Sequence, residues 1–140
     1  VTAVKQADGT IGYADFSQVG DLGTAAIKVG ENYNEISADA GSKVIEDSEI
    51  DTSVKGDNRV VVKINHATEA KGAYPIVLVS YDIACPAYKD ASTAKFVKSW
   101  LTYVTSDEGQ KTASSAAGSA PLPSNIVEKV TKSIEAIKTK

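Results

Sequence analysis

Tyr74-Pro75-Ile76-Val77-Leu78-Val79-Ser80-Tyr81-Asp82-Ile83-Ala84 is the stretch on which the fold turns. Ile76 to Val79 run apolar without a polar interruption, the pattern of a strand buried on both faces, and Cys85-Pro86 ends it. Upstream, Arg59-Val60-Val61-Val62-Lys63-Ile64 is β-branched and reads as another strand. The loop Ala67–Ala73 joins the two. The polar, Asp- and Ser-rich Asp47–Asn58 reads as a loop, and Ser37–Glu46 as a helix carrying Ala40, Val44 and Ile45 on one side. Nearer the start, Thr24–Val29 and the short Thr10–Ala14 are β-prone, Gly30–Asn34 is a connector, and Phe16–Leu22 forms a helical turn. Val1–Gln6 is the end of a helix stopped at Asp8-Gly9, with Gly9 suited to a left-handed cap.

Downstream the pattern turns helical. Phe96, Val97, Trp100, Leu101 and Val104 form an apolar stripe, preceded by the cap-type residues Asp90, Ser92 and Thr93. Thr105 and Glu108 have capping-box spacing, which predicts a new helix over Asp107–Ala117. Gly118-Ser119-Ala120-Pro121-Leu122-Pro123 is a rigid connector. A last helix starts near Ser124 or Asn125 with Ile126, Val127, Val130, Ile134 and Ile137 on one side. Lys129, Lys132, Lys138 and Lys140 lie along its second half, where they complement the helix dipole. Strands first and helices last, with one strand buried on both faces, predict an α/β or α+β architecture, a short mixed sheet with C-terminal helices.

Composition narrows the function. The chain has 140 residues, of which 42% are hydrophobic and 24% charged, so it can build a core and is neither disordered nor collagen-like. The net charge is -3 and Arg59 is the only arginine, which argues against a nucleic-acid partner. No apolar run reaches the ~20 residues needed to span a bilayer. The single cysteine, Cys85, excludes an internal disulfide and, at the end of a buried strand, reads as a small hydrophobe. The chain starts at Val1 without a charged and apolar leader pattern, so the expectation is a processed protein or an excised segment.

No enzyme emerges from the residues. His66 is the only histidine, and no sharp-turn nucleophile motif accompanies it. Asp47, Glu49 and Asp51 alternate in a loop but lack the calcium-loop pattern, and no metal or other cofactor is expected. Gly9 and Gly12 are too closely spaced for a dinucleotide fingerprint, and no phosphate-cradling glycine motif is present. The helix starts at Ser106 and Ser124 could hold an anion, as any helix N-terminus can.

Four segments in sequence, taken together, resemble the substrate-binding proteins of phosphate ABC transporters. They are Asp8-Gly9-Thr10-Ile11-Gly12-Tyr13, Tyr74-Pro75-Ile76 with its strand, Trp100 through Ser106-Asp107-Glu108-Gly109-Gln110, and Ala120-Pro121-Leu122-Pro123. The resemblance covers essentially the whole chain and implies part of a type II periplasmic-binding-protein fold. In that fold phosphate is trapped between two lobes that close like a hinge. It further implies that residues 1–140 are one C-terminal segment of a longer protein. Residues 1–70 would belong to the second lobe, and residues 71–140 would supply a crossover strand and helices of the first. The implied function is capture of inorganic phosphate for import by an ABC transporter permease. The implied setting is extracytoplasmic, periplasmic or cell-surface, with a lipid anchor on the full-length lipoprotein.

The family's ligands (hydroxyls, helix N–H groups, an arginine and an acid that accepts phosphate's proton) come from segments preceding this part. Arg59 does not match the ligand arginine, so no phosphate-binding residue is identifiable in this segment and none is catalytic. Gly12, Tyr13, Tyr74 and Pro75 are singled out as structural. The segment's expected partners are its missing N-terminal half or, failing that, a copy of itself. The alternative reading is a non-catalytic protein-interaction or surface-antigen module.

Overall fold

Three pairs of very short strands and five helices make up the computed structural model, which describes every residue, Val1–Lys140. In order, α1 (Thr2–Gln6) and a 3-10 turn (Phe16–Gln18) precede β1 (Ile27–Val29) and β2 (Asn32–Asn34). Then come α2 (Ala38–Glu46), β3 (Glu49–Ile50), β4 (Val62–Lys63) and β5 (Ala87–Tyr88). The chain ends with α3 (Ala91–Thr105), α4 (Asp107–Ala117), α5 (Ser124–Glu135) and β6 (Lys138–Thr139). β1–β2 and β3–β4 are antiparallel, whereas β5–β6 is parallel and ties the start of the helical region to its end. The architecture is mixed α/β, as expected.

Local chemistry sets most helix ends. The Ser37 side chain accepts from Ala40 N at 3.1 Å and starts α2. Gly118, at φ 65°, closes α4 in the left-handed region that favours glycine. α4 spans Asp107–Ala117 as expected, but its cap lies one residue beyond the expected Thr105. Ser106 is the cap, accepting from Gly109 N, while Thr105 ends α3 and bonds back to Leu101 O at 2.9 Å. Gly9 has φ 76°, but α1 is capped by extended Ala7, so Gly9 shapes the following turn instead.

At the start of α3, one carboxylate oxygen of Asp90 accepts from Ser92 Oγ at 2.5 Å, Thr93 N at 2.7 Å and Thr93 Oγ1 at 2.8 Å. The Ser92 hydroxyl, followed by the two Thr93 donors, lowers the Asp90 pKa to about 2. The folded pKa lies below the ordinary 3.8, so this cap stabilises fully above that value and is lost as pH falls through about 2. The α3 helicity followed by circular dichroism is therefore expected to hold from pH 7 to 4 and to decline below it. Asp90→Ala should show weaker helicity at neutral pH and no such decline. An unchanged acid profile in that variant would contradict the assignment.

Two clusters form the core: Val29, Ala40, Val44, Val62, Ala73 and Tyr74 in the first part, and Ala94, Ile126, Ile134 and Ile137 among the helices. α3 lies against both α4 and α5. Thr68 is the buried polar residue, its hydroxyl donating to Asp47 Oδ2 and accepting from Ala70 N.

The central strand expectation fails. Tyr74–Ala84 forms no strand, and it is not buried on both faces. Pro75, Val77 and Val79 are half-buried on one side. Ile76, Leu78 and Ile83 are 43%, 77% and 97% exposed. The physical reason is pairing: a strand needs a neighbour to take its backbone groups, and no backbone N–H or C=O from Ile76 to Ala84 finds a partner within this chain. Thr10–Ala14 likewise forms no strand. The strands expected over Thr24–Val29 and Arg59–Ile64 shrink to three and two residues. Conversely, Asn32–Asn34 and Glu49–Ile50, read as connector and loop, are paired.

The α3 stripe splits in the same way. Val97, Leu101 and Val104 are half-buried, but Phe96, Trp100 and Tyr103 are 70%, 54% and 43% exposed on the opposite flank. The side facing α4 and α5 is covered, and the side facing away has nothing to cover it.

Cys85, expected to be buried, is exposed because the segment that carries it is unpaired. A thiol reagent is expected to label it stoichiometrically in the native chain without denaturant. Labelling only after unfolding would contradict the open segment.

Candidate functional site

Each of the four motif segments has a local structural job. Tyr74 N donates to Ala40 O at 3.0 Å, and the Tyr74 hydroxyl to Ala25 O at 3.2 Å, so this buried residue ties α2 to the stretch before β1. Pro75 O accepts from His66 Nδ1 at 2.9 Å, which holds the lone histidine in place on an exposed loop. Gly12 sits under α1, where an added Cβ would come 2.9 Å from Val4 Cγ2. Ile11 and Tyr13 beside it are 89% and 68% exposed.

The corner between α3 and α4 is built by Ser106, Gly109 and Gln110. Ser106 N and Oγ both donate to Tyr103 O, at 3.0 and 2.7 Å. Gln110 Nε2 donates to Val104 O at 2.7 Å, satisfying a carbonyl at the end of α3. Its Oε1 accepts from Leu122 N at 2.9 Å, which holds the connector against the corner. Pro121 O accepts from Ser42 Oγ, and Pro123 O accepts from Ile126 N and Val127 N at 3.0 Å each, opening α5. Sequence reasoning named Gln110 only as the last residue of the third motif and gave it no role of its own. Its signal was its place one residue after Gly109 at a helix start, where a long amide can reach back.

The candidate ligand residues do not converge. Arg59 folds back on its own loop, its Nε only 2.8 Å from where a Cβ on Gly56 would sit. Asp47 is engaged by Asn65 Nδ2 at 3.1 Å and by Thr68. Asp51 instead accepts from Ser53 Oγ and N, which lower its pKa. No three His, Cys, Asp or Glu side chains are gathered as a metal-binding group.

Two hollows are open to solvent. One of about 450 Å³ is lined only by Glu108, Lys111, Thr112, Ser115 and Ala116, the flank of α4 itself. The other, about 290 Å³, lies between α4, the connector and α5, with Lys111 and Asp107 as its only charged residues. One cation balanced by one carboxylate gives an anion little net attraction. What the arrangement does well is fix a helical corner. No helix is long and apolar enough to cross a membrane.

The chain is similar to mycobacterial phosphate-binding proteins. It is 29% identical to phosphate-binding protein PstS 3 of Mycobacterium leprae over a 140-residue alignment that covers 96% of this chain and 37% of the relative. It is 36% identical over 66 residues to PstS 2 of Mycobacterium tuberculosis and to PstS2 of Mycobacterium bovis. Those two matches cover 47% of this chain and 17% of each relative. The chain thus spans little more than a third of the first relative's length. No protein-family model matches it, and no solved structure does.

Proposed function

We propose that these residues are the C-terminal portion of an extracytoplasmic protein that captures inorganic phosphate and delivers it to an ABC transporter permease. The observation that carries the reading is the similarity to a phosphate-binding protein along 96% of the chain. The ordered run of the Gly12-Tyr13, Tyr74-Pro75, Ser106–Gln110 and Ala120–Pro123 segments is consistent with it. The phosphate ligands lie in polypeptide outside these residues. This placement is supported by Arg59, which folds back beside Gly56 on its own loop. Residues 1–70 are assigned to one lobe of a type II binding-protein fold and 71–140 to the crossover and the other lobe. The protein is assigned a lipid anchor and no catalytic role.

Calorimetric titration of the 140-residue chain with phosphate and with sulfate tests the placement. No heat is expected from either anion. Phosphate-selective binding by this chain alone would overturn the assignment of the ligands to other segments and redirect attention to Gly12, Arg59 and the helix start at Ser106.

A further inference from the structure

Charge is unevenly spread along the chain. Residues 1–86 carry 13 acidic side chains against 7 basic ones. The unit made by β5, α3, α5 and β6, residues 87–105 and 124–140, carries 7 lysines against 3 acids. A chain with a net charge of -3 therefore has a basic end on an acidic body.

The fold gathers this charge further. Lys138 and Lys140 do not continue α5, which ends at Glu135, but fall at β6. β5 and β6 pair in parallel as Ala87↔Lys138 and Tyr88↔Thr139. Lys140 N donates to Tyr88 O at 2.9 Å, which carries the same register on to Lys89 and Lys140. Because side chains alternate along a strand, Lys89, Lys138 and Lys140 come to one face of the pair, and all three are exposed. Lys98 brings a fourth ammonium to this end: it reaches across from α3, and its Nζ donates to Glu135 O at 2.9 Å. The carboxylates here are Glu135 and Asp90, and Asp90 is turned to its cap partners Ser92 and Thr93. Like charges grouped on one strand face repel, so the fold itself gains nothing from collecting them. An anionic surface laid over them turns that repulsion into attraction.

We propose that the lysine face of the β5–β6 pair, with Lys98, is a docking surface for the anionic phospholipid headgroups of the membrane beside which the protein is held. The proposal rests on the lipid-anchored setting in the functional reading. One lipid chain gives only a reversible hold, and a basic patch supplies the second attachment. The same surface charge turns the acidic body away from the bilayer. Every basic residue at this end is a lysine. Lysine is a hydrated point charge suited to a diffuse layer of headgroups, whereas paired recognition of carboxylates on a protein favours arginine.

Co-sedimentation with vesicles tests it, on the 140-residue chain and on the longer protein that contains it, expressed without its lipid. Both are expected to bind phosphatidylglycerol–phosphatidylcholine vesicles at low salt, to release them as salt rises, and to ignore pure phosphatidylcholine vesicles. Lys89→Gln, Lys138→Gln and Lys140→Gln together should weaken binding by about 100-fold, each lysine near the surface contributing roughly fivefold. Lys28→Gln, Lys55→Gln and Lys71→Gln make the same charge change at exposed positions on the acidic body and should leave binding nearly unchanged. No binding to anionic vesicles overturns the proposal. So does equal binding to neutral vesicles, which would assign capture to the exposed flank of Phe96 and Trp100. Equal losses in the two triple variants, or binding by the chain but not by the longer protein, overturn it as well. Salt-sensitive self-association by light scattering would make the acidic body of a second copy the partner instead. Phosphate titration of the longer protein is a separate readout: vesicle binding without phosphate binding leaves this proposal standing and removes the functional one.

Discussion

Gly109→Ala is expected to destabilise the chain by about 2 kcal/mol or more, although the same change in an ordinary helix stabilises by about 1 kcal/mol. Propensity and packing oppose each other at this position. A Cβ on Gly109 would overlap the carbonyl oxygen of Tyr103 and stand 2.9 Å from its carbonyl carbon and 3.2 Å from Val104 Cα. These are backbone atoms, so relief requires α3 and α4 to separate. That movement strains the two Ser106 bonds to Tyr103 O and the Gln110 bridge to Val104 O. Overpacking of this kind costs about 1–3 kcal/mol, occasionally more, and outweighs the propensity gain. Thermal unfolding followed by circular dichroism checks the sign, and a rise in Tm would contradict the corner geometry.

Ile126→Ala is expected to cost about 3 kcal/mol, within the range for truncating a buried isoleucine. Ile126 is 3% exposed and begins the apolar side of α5, the helix that packs on α3. With only 13 of 140 residues buried, little other core compensates for the cavity, and total stabilities of proteins are themselves small. Val127→Ala, one position along on the half-buried side, should cost distinctly less. Urea unfolding of the two variants side by side measures the difference, and equal losses would show that α5 does not dock by the Ile126 face.

The contrast between those residues and the 76–84 segment explains what was legible in the sequence. The helices were readable because their signals are local. Ser37 and Asp90 cap within three residues, Gly118 supplies its own left-handed turn, and Ile126 and Ile134 repeat at helical spacing. The apolar run of Tyr74–Ala84 reports something non-local: that it is made to be covered, not what covers it. Phe96 and Trp100 misled in the same way, since helical spacing places them on a face without revealing whether a neighbour is present. The paired Ala87–Tyr88 and Lys138–Thr139 are too short to announce themselves, and their partners lie at opposite ends of the helical region. Of the candidate site, the motif segments were legible and their structural roles were not. Gln110 works through two bonds to residues on either side of a corner, which no single window of sequence displays.

The central claim is that these residues complete a phosphate-binding protein whose ligands they do not themselves supply. Calorimetry on the longer protein containing them, titrated with phosphate and then with sulfate beside the 140-residue chain, tests it most directly. The account predicts phosphate-selective heat from the longer protein and none from the chain alone. A longer protein that binds neither anion, or takes both equally, would contradict it.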